Sequence, residues 1–242
     1  MRIDILTLFP EMFTGIINSS IIKRAIDKEI VQIHLHDFRD FSNNKHNKVD
    51  DTPYGGGAGM VITLQPIVDC LKSIPGYKTA LKILTSAVGN VHNQKQAISF
   101  SKQNHIIIIC GHYEGIDDRI KNYIDMEVSI GDYILTGGEI AAMSIIDSVI
   151  RLIPNVIRDE SIDEESFSNN FLEYDQFTKP PVYEDLAVPE VLMSGNHEEI
   201  RKYRRYTAIE KTYLRRPELL ENVQLTKEDL KILQEIKNKN RN

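Results

Sequence analysis

Residues 105–138, HIIIICGHYEGIDDRIKNYIDMEVSIGDYILTGG, decide how the chain folds. Ile106–Ile109 is a β-branched apolar run cut off at Cys110–Gly111. Met126–Ile130 is a second strand-like run that ends at Gly131, with Gly137 and Gly138 just beyond. Two adjacent buried strands, each giving way to a glycine-bearing turn, predict one ligand pocket at their C-terminal ends. The turns also hold Tyr113, Glu114 and Asp117, then Asp132, Tyr133 and Glu139, which a bare structural turn does not need.

Working outward, the pattern keeps alternating. Ile3–Leu8 reads as a strand, Pro10–Lys28 has a helical period, and Val31–Asp37 alternates with period two. A helix is expected over Leu64–Ser73, a strand over Ala80–Leu84, a helix over Asn93–Lys102 and a long apolar helix over Gly138–Leu152. Such alternation predicts an α/β domain with a mainly parallel, helix-flanked sheet over residues 1–156. Pro154 closes it. Residues 157–170, IRDESIDEESFSNN, are acidic and poor in core formers, as a mobile inter-domain linker would be. Residues 171–242 are rich in helix formers and charge and predict a small helical domain.

The length of 242 residues allows one or two domains with a full core. No apolar run reaches the roughly 18 residues of a membrane-spanning helix, and MRIDILTLFP lacks the basic and apolar regions of a signal peptide. Cys70 and Cys110, without CxxC spacing, read as buried free thiols in a reducing, cytoplasmic setting. The net charge of −6 offers no overall pull towards nucleic acid. Locally, residues 201–216, RKYRRYTAIEKTYLRR, set many cations and Tyr203, Tyr206 and Tyr213 against the single acid Glu210. That run suits either phosphate binding with base stacking or a solvated amphipathic helix.

Several chemistries are excluded by their missing motifs. There is no GxxxxGK[ST], no GxGxxG after the first strand, no HExxH, no GxSxG elbow and no zinc-type Cys/His cluster. His34 and His36 share a strand face without a third ligand and read as packing or surface residues. Residues 50–60, DDTPYGGGAGM, form a further glycine cluster, where something approaches the backbone closely or the loop moves.

PYGGGAGM, CGHYEGIDDR, SIGDYILTGGE, RLIPNV and VPEVLMSGNHEEIRKYRR, in this order, closely resemble the bacterial tRNA (guanine-N1)-methyltransferases of the TrmD type, members of the SPOUT superfamily. The resemblance runs from the first strand to LRRPELL. It implies a SPOUT-type parallel sheet with a C-terminal trefoil knot in the N-terminal domain, and a helical tRNA-binding domain after the linker. It implies S-adenosylmethionine in a bent form held by three loops. Those loops supply Ser86, Ala87 and Gly89; Gly111, Tyr113, Glu114 and Gly115; and Ile130, Gly131, Asp132, Tyr133, Ile134, Leu135, Gly137 and Gly138. Glycines would let the backbone read the adenine edge while Ile130 and Leu135 flank its face. Glu114 and Asp132 either meet the ligand's positive charge or cap the following turns.

The implied reaction methylates N1 of guanosine 37 of tRNA when another G precedes it. N1–H must lose its proton, which calls for a carboxylate, and O6 gains charge, which calls for a cation. The family's linker Asp aligns with Glu165, with Glu164 and Asp163 beside it, and the family's Arg aligns with Arg151. Arg151 could equally be a cation at a helix C-terminus. Contacts to tRNA are expected at Gly57, Gly59, Ser194, Arg201, Lys202, Arg204, Arg205 and Arg215. The resemblance further implies a homodimer with the active site at the subunit interface, and Mg²⁺ assistance without a dedicated protein site. It departs from the family pattern at Thr52, at Ala87 and in YDQFTKP over residues 174–180. A ribose 2′-O methyltransferase and a non-catalytic RNA-binding paralogue are the competing readings.

Overall fold

The structure is a computed structural model describing residues 1–157, 165–167 and 170–240. The chain divides into two compact units, Met1–Arg158 and Asp159–Asn242. Of the expected linker, residues 158–164 and 168–169 lie outside the described residues, Asp163 and Glu164 among them.

The first unit is built on five strands: β1 (Arg2–Thr7), β2 (Gln32–Asp37), β3 (Leu81–Val91), β4 (His105–Cys110) and β5 (Met126–Ser129). Their order is β2-β1-β4-β3-β5 and every neighbouring pair is parallel. Helices α1 (Ser20–Asp27), α2 (Leu64–Ser73), α3 (Gln94–Ser101) and α4 (Glu139–Ile150) accompany the strands.

The central β4 shows why. Side chains alternate across a strand, so Ile106, Ile108 and Cys110 face one core with Ile3, Ile5, Ile83 and the apolar sides of α1, α3 and α4. Ile107 and Ile109 face the other core with Leu6, Leu84 and α2. A strand apolar on both faces has no stable place at a solvated surface. Each buried isoleucine contributes about 1.5–3 kcal/mol.

Two expected elements come out differently. The 10–28 helix is broken into a tight turn Pro10–Phe13, a single helical turn Thr14–Ile17 and α1. Asn18 and Ser19 interrupt it, polar residues that favour caps over helix interiors, and Ser19 is the N-cap of α1. The strand expected over Ala80–Leu84 continues to Val91, because Asn90 and Val91 rejoin β5 beyond an irregular stretch. The helix expected over Gly138–Leu152 is α4, with Gly138 as its N-cap and Arg151 as its C-cap.

At the N-terminal edge of the sheet a carboxylate is fully enclosed. Asp4 on β1 accepts from Arg2 Nε (2.6 Å) and Nη2 (2.9 Å), from His36 Nε2 on β2 (2.7 Å) and from His105 Nε2 on β4 (2.7 Å). Burial alone would lift its pKa, yet these donors hold the carboxyl well below the usual carboxylate range. His36 is thus a network member, while His34 on the same strand is exposed. Both cysteines are free and buried, and burial pushes the Cys70 thiol up to about 12 and the Cys110 thiol well above its ordinary value.

The second unit holds α5 (His197–Arg215) and α6 (Lys227–Lys239), with a small hairpin pairing Val182–Tyr183 with Leu186–Ala187. Asn196 caps α5 by accepting from the Glu198 and Glu199 amides, and Thr226 with Asp229 forms a capping box on α6. Phe171, Ile209, Leu233 and Ile236 form the core. Asp229 closes a bidentate pair with Arg205 (2.6 and 2.9 Å). Burial opposes its charge, but Arg205 and Thr226 outweigh that and bring its pKa to about 2.

Candidate functional site

The C-terminal ends of β3, β4 and β5 open onto one cleft of about 490 Å³, a size for a small-molecule ligand. Three segments build it. In the first, Thr85 and Asn90 of β3 both align with Val128, so residues 86–89 loop out between them. Ser86, Ala87 and Val88 line the cleft. Gly89 does not: it is pressed against β5, where a Cβ would collide with the main chain of Glu127 and Val128.

The second segment is the turn after β4. Gly111, Tyr113, Glu114 and Gly115 line the cleft, and Tyr113 takes a left-handed φ of +59° to make the turn. The glycine-rich loop between Asp50–Asp51 and Val61–Ile62 is laced to this turn. Glu114 N donates to Met60 O (3.1 Å), Ile62 N to Gly115 O (2.9 Å) and Asp117 N to Ile62 O (2.9 Å). Gly57 and Gly59 lie exposed in that loop. Asp117 caps the next turn and pairs with Arg119 at 2.6 Å.

The third segment, after β5, contributes Ile130, Gly131, Tyr133, Ile134, Leu135, Gly137 and Gly138. Asp132 is exposed and is not among the lining residues. Gly138 N donates to Gly111 O (2.8 Å), and His112 bridges to Gly137, so the second and third segments share main-chain bonds. Val88 and Ile134 at the rim are 81% and 82% exposed, two large apolar side chains left in solvent at the mouth of the cleft.

Beneath the cleft lies Glu139, at the start of α4 and only 1% exposed. Its Oε1 accepts from Thr7 Oγ1 (2.8 Å). Its Oε2 finds no hydrogen-bond donor among the described residues, and His112 Nε2 stands 3.6 Å away. A buried acceptor left in that state costs about 1–3 kcal/mol. Side chains at 137 and 138 are excluded here: a Cβ on Gly137 would strike His112 Nε2 and Glu139 Oε2, and one on Gly138 would strike Thr85 Oγ1.

The expected reacting groups, Arg151 and Glu165, are not among the lining residues. Arg151 is outside the lining and caps the far end of α4. At 1.5 Å per residue, its Cα is roughly 18 Å along the helix from that of Glu139. Glu165 is half-buried and belongs to the second unit. In that unit, Ser194 ends a helical turn by donating to Val191 O (2.8 Å). Arg201 pairs with Glu228 (3.3 Å) and Lys202 with Glu198 and Glu199 (3.2 and 3.1 Å). Arg204 lies over the Tyr174 ring at 4.6 Å, and Arg215 is exposed. Arg205 is bound inward to Asp229 and lies over Phe171, which gives it a structural task.

Sequence reasoning missed Thr85, His112 and the floor role of Glu139. His112 was visible inside the quoted turn, but its partner is set by the fold. Among the described residues no group of three or more His, Cys, Asp and Glu converges as a cation site.

A parallel open sheet with glycine turns converging on a cleft at its carboxyl edge defines a small-ligand-binding α/β protein. The family profile described as tRNA (Guanine-1)-methyltransferase TrmD matches residues 1–222, and the chain belongs to that family. A tRNA (guanine-N(1)-)-methyltransferase of Dictyoglomus turgidum is 52% identical over 238 residues, covering 98% of this chain and 97% of the relative. Its namesake in Clostridium novyi is 54% identical over 235 residues, 97% of each chain. The one in Malacoplasma penetrans is 55% identical over 219 residues, 90% of this chain and 96% of the relative.

Proposed function

We propose that this protein methylates N1 of guanosine 37 of tRNA, where another G precedes it, with S-adenosylmethionine as donor. The observation that carries the reading is the convergence of three glycine-bearing segments on one cleft in a chain of this family. The cleft fits the donor's chemistry. Its backbone-rich walls can read an adenine edge, Ile130 and Leu135 offer apolar faces, and the Glu114 carboxylate suits a cationic group. S-adenosylmethionine, when bound, supplies a methyl group activated by a sulfonium.

The protein's own residues then handle the guanine. The Glu165 carboxylate accepts the N1 proton and the Arg151 guanidinium holds the charge growing on O6. The base is turned out of its stack to reach them. Within one chain α4 carries Arg151 roughly 18 Å from the cleft floor, which favours a homodimer in which Arg151 and Glu165 of one copy serve the other's cleft. The exposed apolar rim at Val88 and Ile134 suits such an interface. The main-chain ties between Gly111 and Gly138 suit a chain threaded as a trefoil knot of SPOUT type. In this reading residues 1–156 hold the donor, the linker supplies Glu165, and the basic run within residues 171–242 binds the tRNA phosphates, in the cytoplasm.

Labelled S-adenosylmethionine with tRNA carrying G or A at position 37 tests this. Incorporation is expected only with G. Equal labelling of both would replace the reading with ribose methylation, and none with either would leave an RNA binder. Glu165→Gln is expected to lower turnover by at least about 100-fold with donor affinity unchanged; turnover at the parent rate would sink the assigned base.

A further inference from the structure

We propose that Glu139 and His112 form a positioning pair that fastens the second cleft segment to the start of α4 and closes when the methyl donor is bound. The inference rests on the cleft being the donor's site.

Glu139 is buried with one oxygen committed to Thr7 and the other without a donor among the described residues. His112 lines the cleft, and its Nε2 faces that second oxygen at 3.6 Å. The separation exceeds an ordinary charge-assisted bond of about 2.7–2.9 Å, so the pair is aligned but open. The imidazole is otherwise held between aromatic rings, 4.9 Å from Phe9 and 5.6 Å from Tyr113 by centroid. Tyr113 is itself a cleft residue in a left-handed conformation. A ligand seated against that turn bears on the His112 ring. Gly137 leaves no side chain in the way of its approach to Glu139. With a proton on Nε2, closure gives the buried oxygen its donor, and the gain appears as donor affinity. Glu139 touches no reacting atom and acts through His112.

The test uses full-length parent, Glu139→Gln, His112→Gln and the double variant. Calorimetric titration with S-adenosylmethionine is expected to show about tenfold weaker binding in each single variant and no further loss in the double. At saturating donor and tRNA, kcat should stay near the parent's while KM for the donor rises. In nitrogen-15 spectra the His112 Nε2–H signal should move downfield when donor is added to the parent, and stay put in Glu139→Gln. Independent, additive losses would overturn the pairing, as would parent-like affinity in both single variants. Because His112 is partly exposed, His112→Gln reads the pair even if Glu139→Gln does not fold. A parent that binds no donor overturns the cleft reading and this inference together, whereas a parent that binds beside indifferent variants overturns this inference alone.

Discussion

The two ends of strand β1 carry opposite solutions to the same problem. At one end Asp4 is enclosed by four donor atoms from Arg2, His36 and His105. At the other, Thr7 gives Glu139 a single hydroxyl and leaves one buried oxygen without a donor among the described residues. A satisfied buried charge locks three strands in register. A side chain with one polar oxygen unserved stores an interaction that something else can complete. Stability is concentrated at the N-terminal edge of this sheet and binding at its C-terminal edge, as open α/β sheets generally arrange it.

Breaking the satisfied end should cost most. Asp4→Ala leaves Arg2, His36 and His105 facing an empty position and is expected to destabilise the first unit by about 3–5 kcal/mol, read as a lower urea midpoint. The paired Asp229 of the second unit offers a milder case, because Arg205 is partly exposed. Arg205→Ala should cost about 2 kcal/mol there, again by urea unfolding.

Acid sharpens the contrast further. Asp229 has its carboxyl lowered from 3.8 to about 2. A carboxylate whose folded pKa is depressed adds stability that is whole above its unfolded value and is lost as protons bind. The Asp229 share should therefore disappear between pH values of about 4 and about 2. The Asp4 share begins to fade over the same range and persists to more acidic conditions. Titrating the unfolding free energy of parent and Asp4→Asn should show a smaller acid slope in the variant. At the open end, Glu139→Gln should alter stability by no more than about 1 kcal/mol, since it can keep the acceptor for Thr7 and replaces only the oxygen that lacks a donor among the described residues. A loss as large as that of Asp4→Ala would dissolve the contrast.

The sequence made the sheet readable because its signals are local. The Ile106–Ile109 run, the period of Leu64–Ser73 and the glycines that end β4 and β5 each declare themselves within a few residues. The long β3 did not, because what extends it is pairing of Asn90 and Val91 with β5, not its own composition. The floor of the cleft was hidden for the same reason. Glu139 reads as one more turn carboxylate until the fold brings up Thr7, a partner 132 positions away in sequence. Arg205 reads as part of a basic stripe until Asp229, 24 positions on, turns it inward.

The buried thiols have a practical consequence. Cys70 and Cys110 are shielded and held as protonated thiols, so alkylating and maleimide reagents have no good target on the native chain. A cysteine introduced at exposed Tyr54, in the glycine-rich loop laced to the cleft's second segment, would be the preferred attachment point for a fluorophore. Arrival of a ligand could then be followed optically in a protein whose own cysteines need not be replaced.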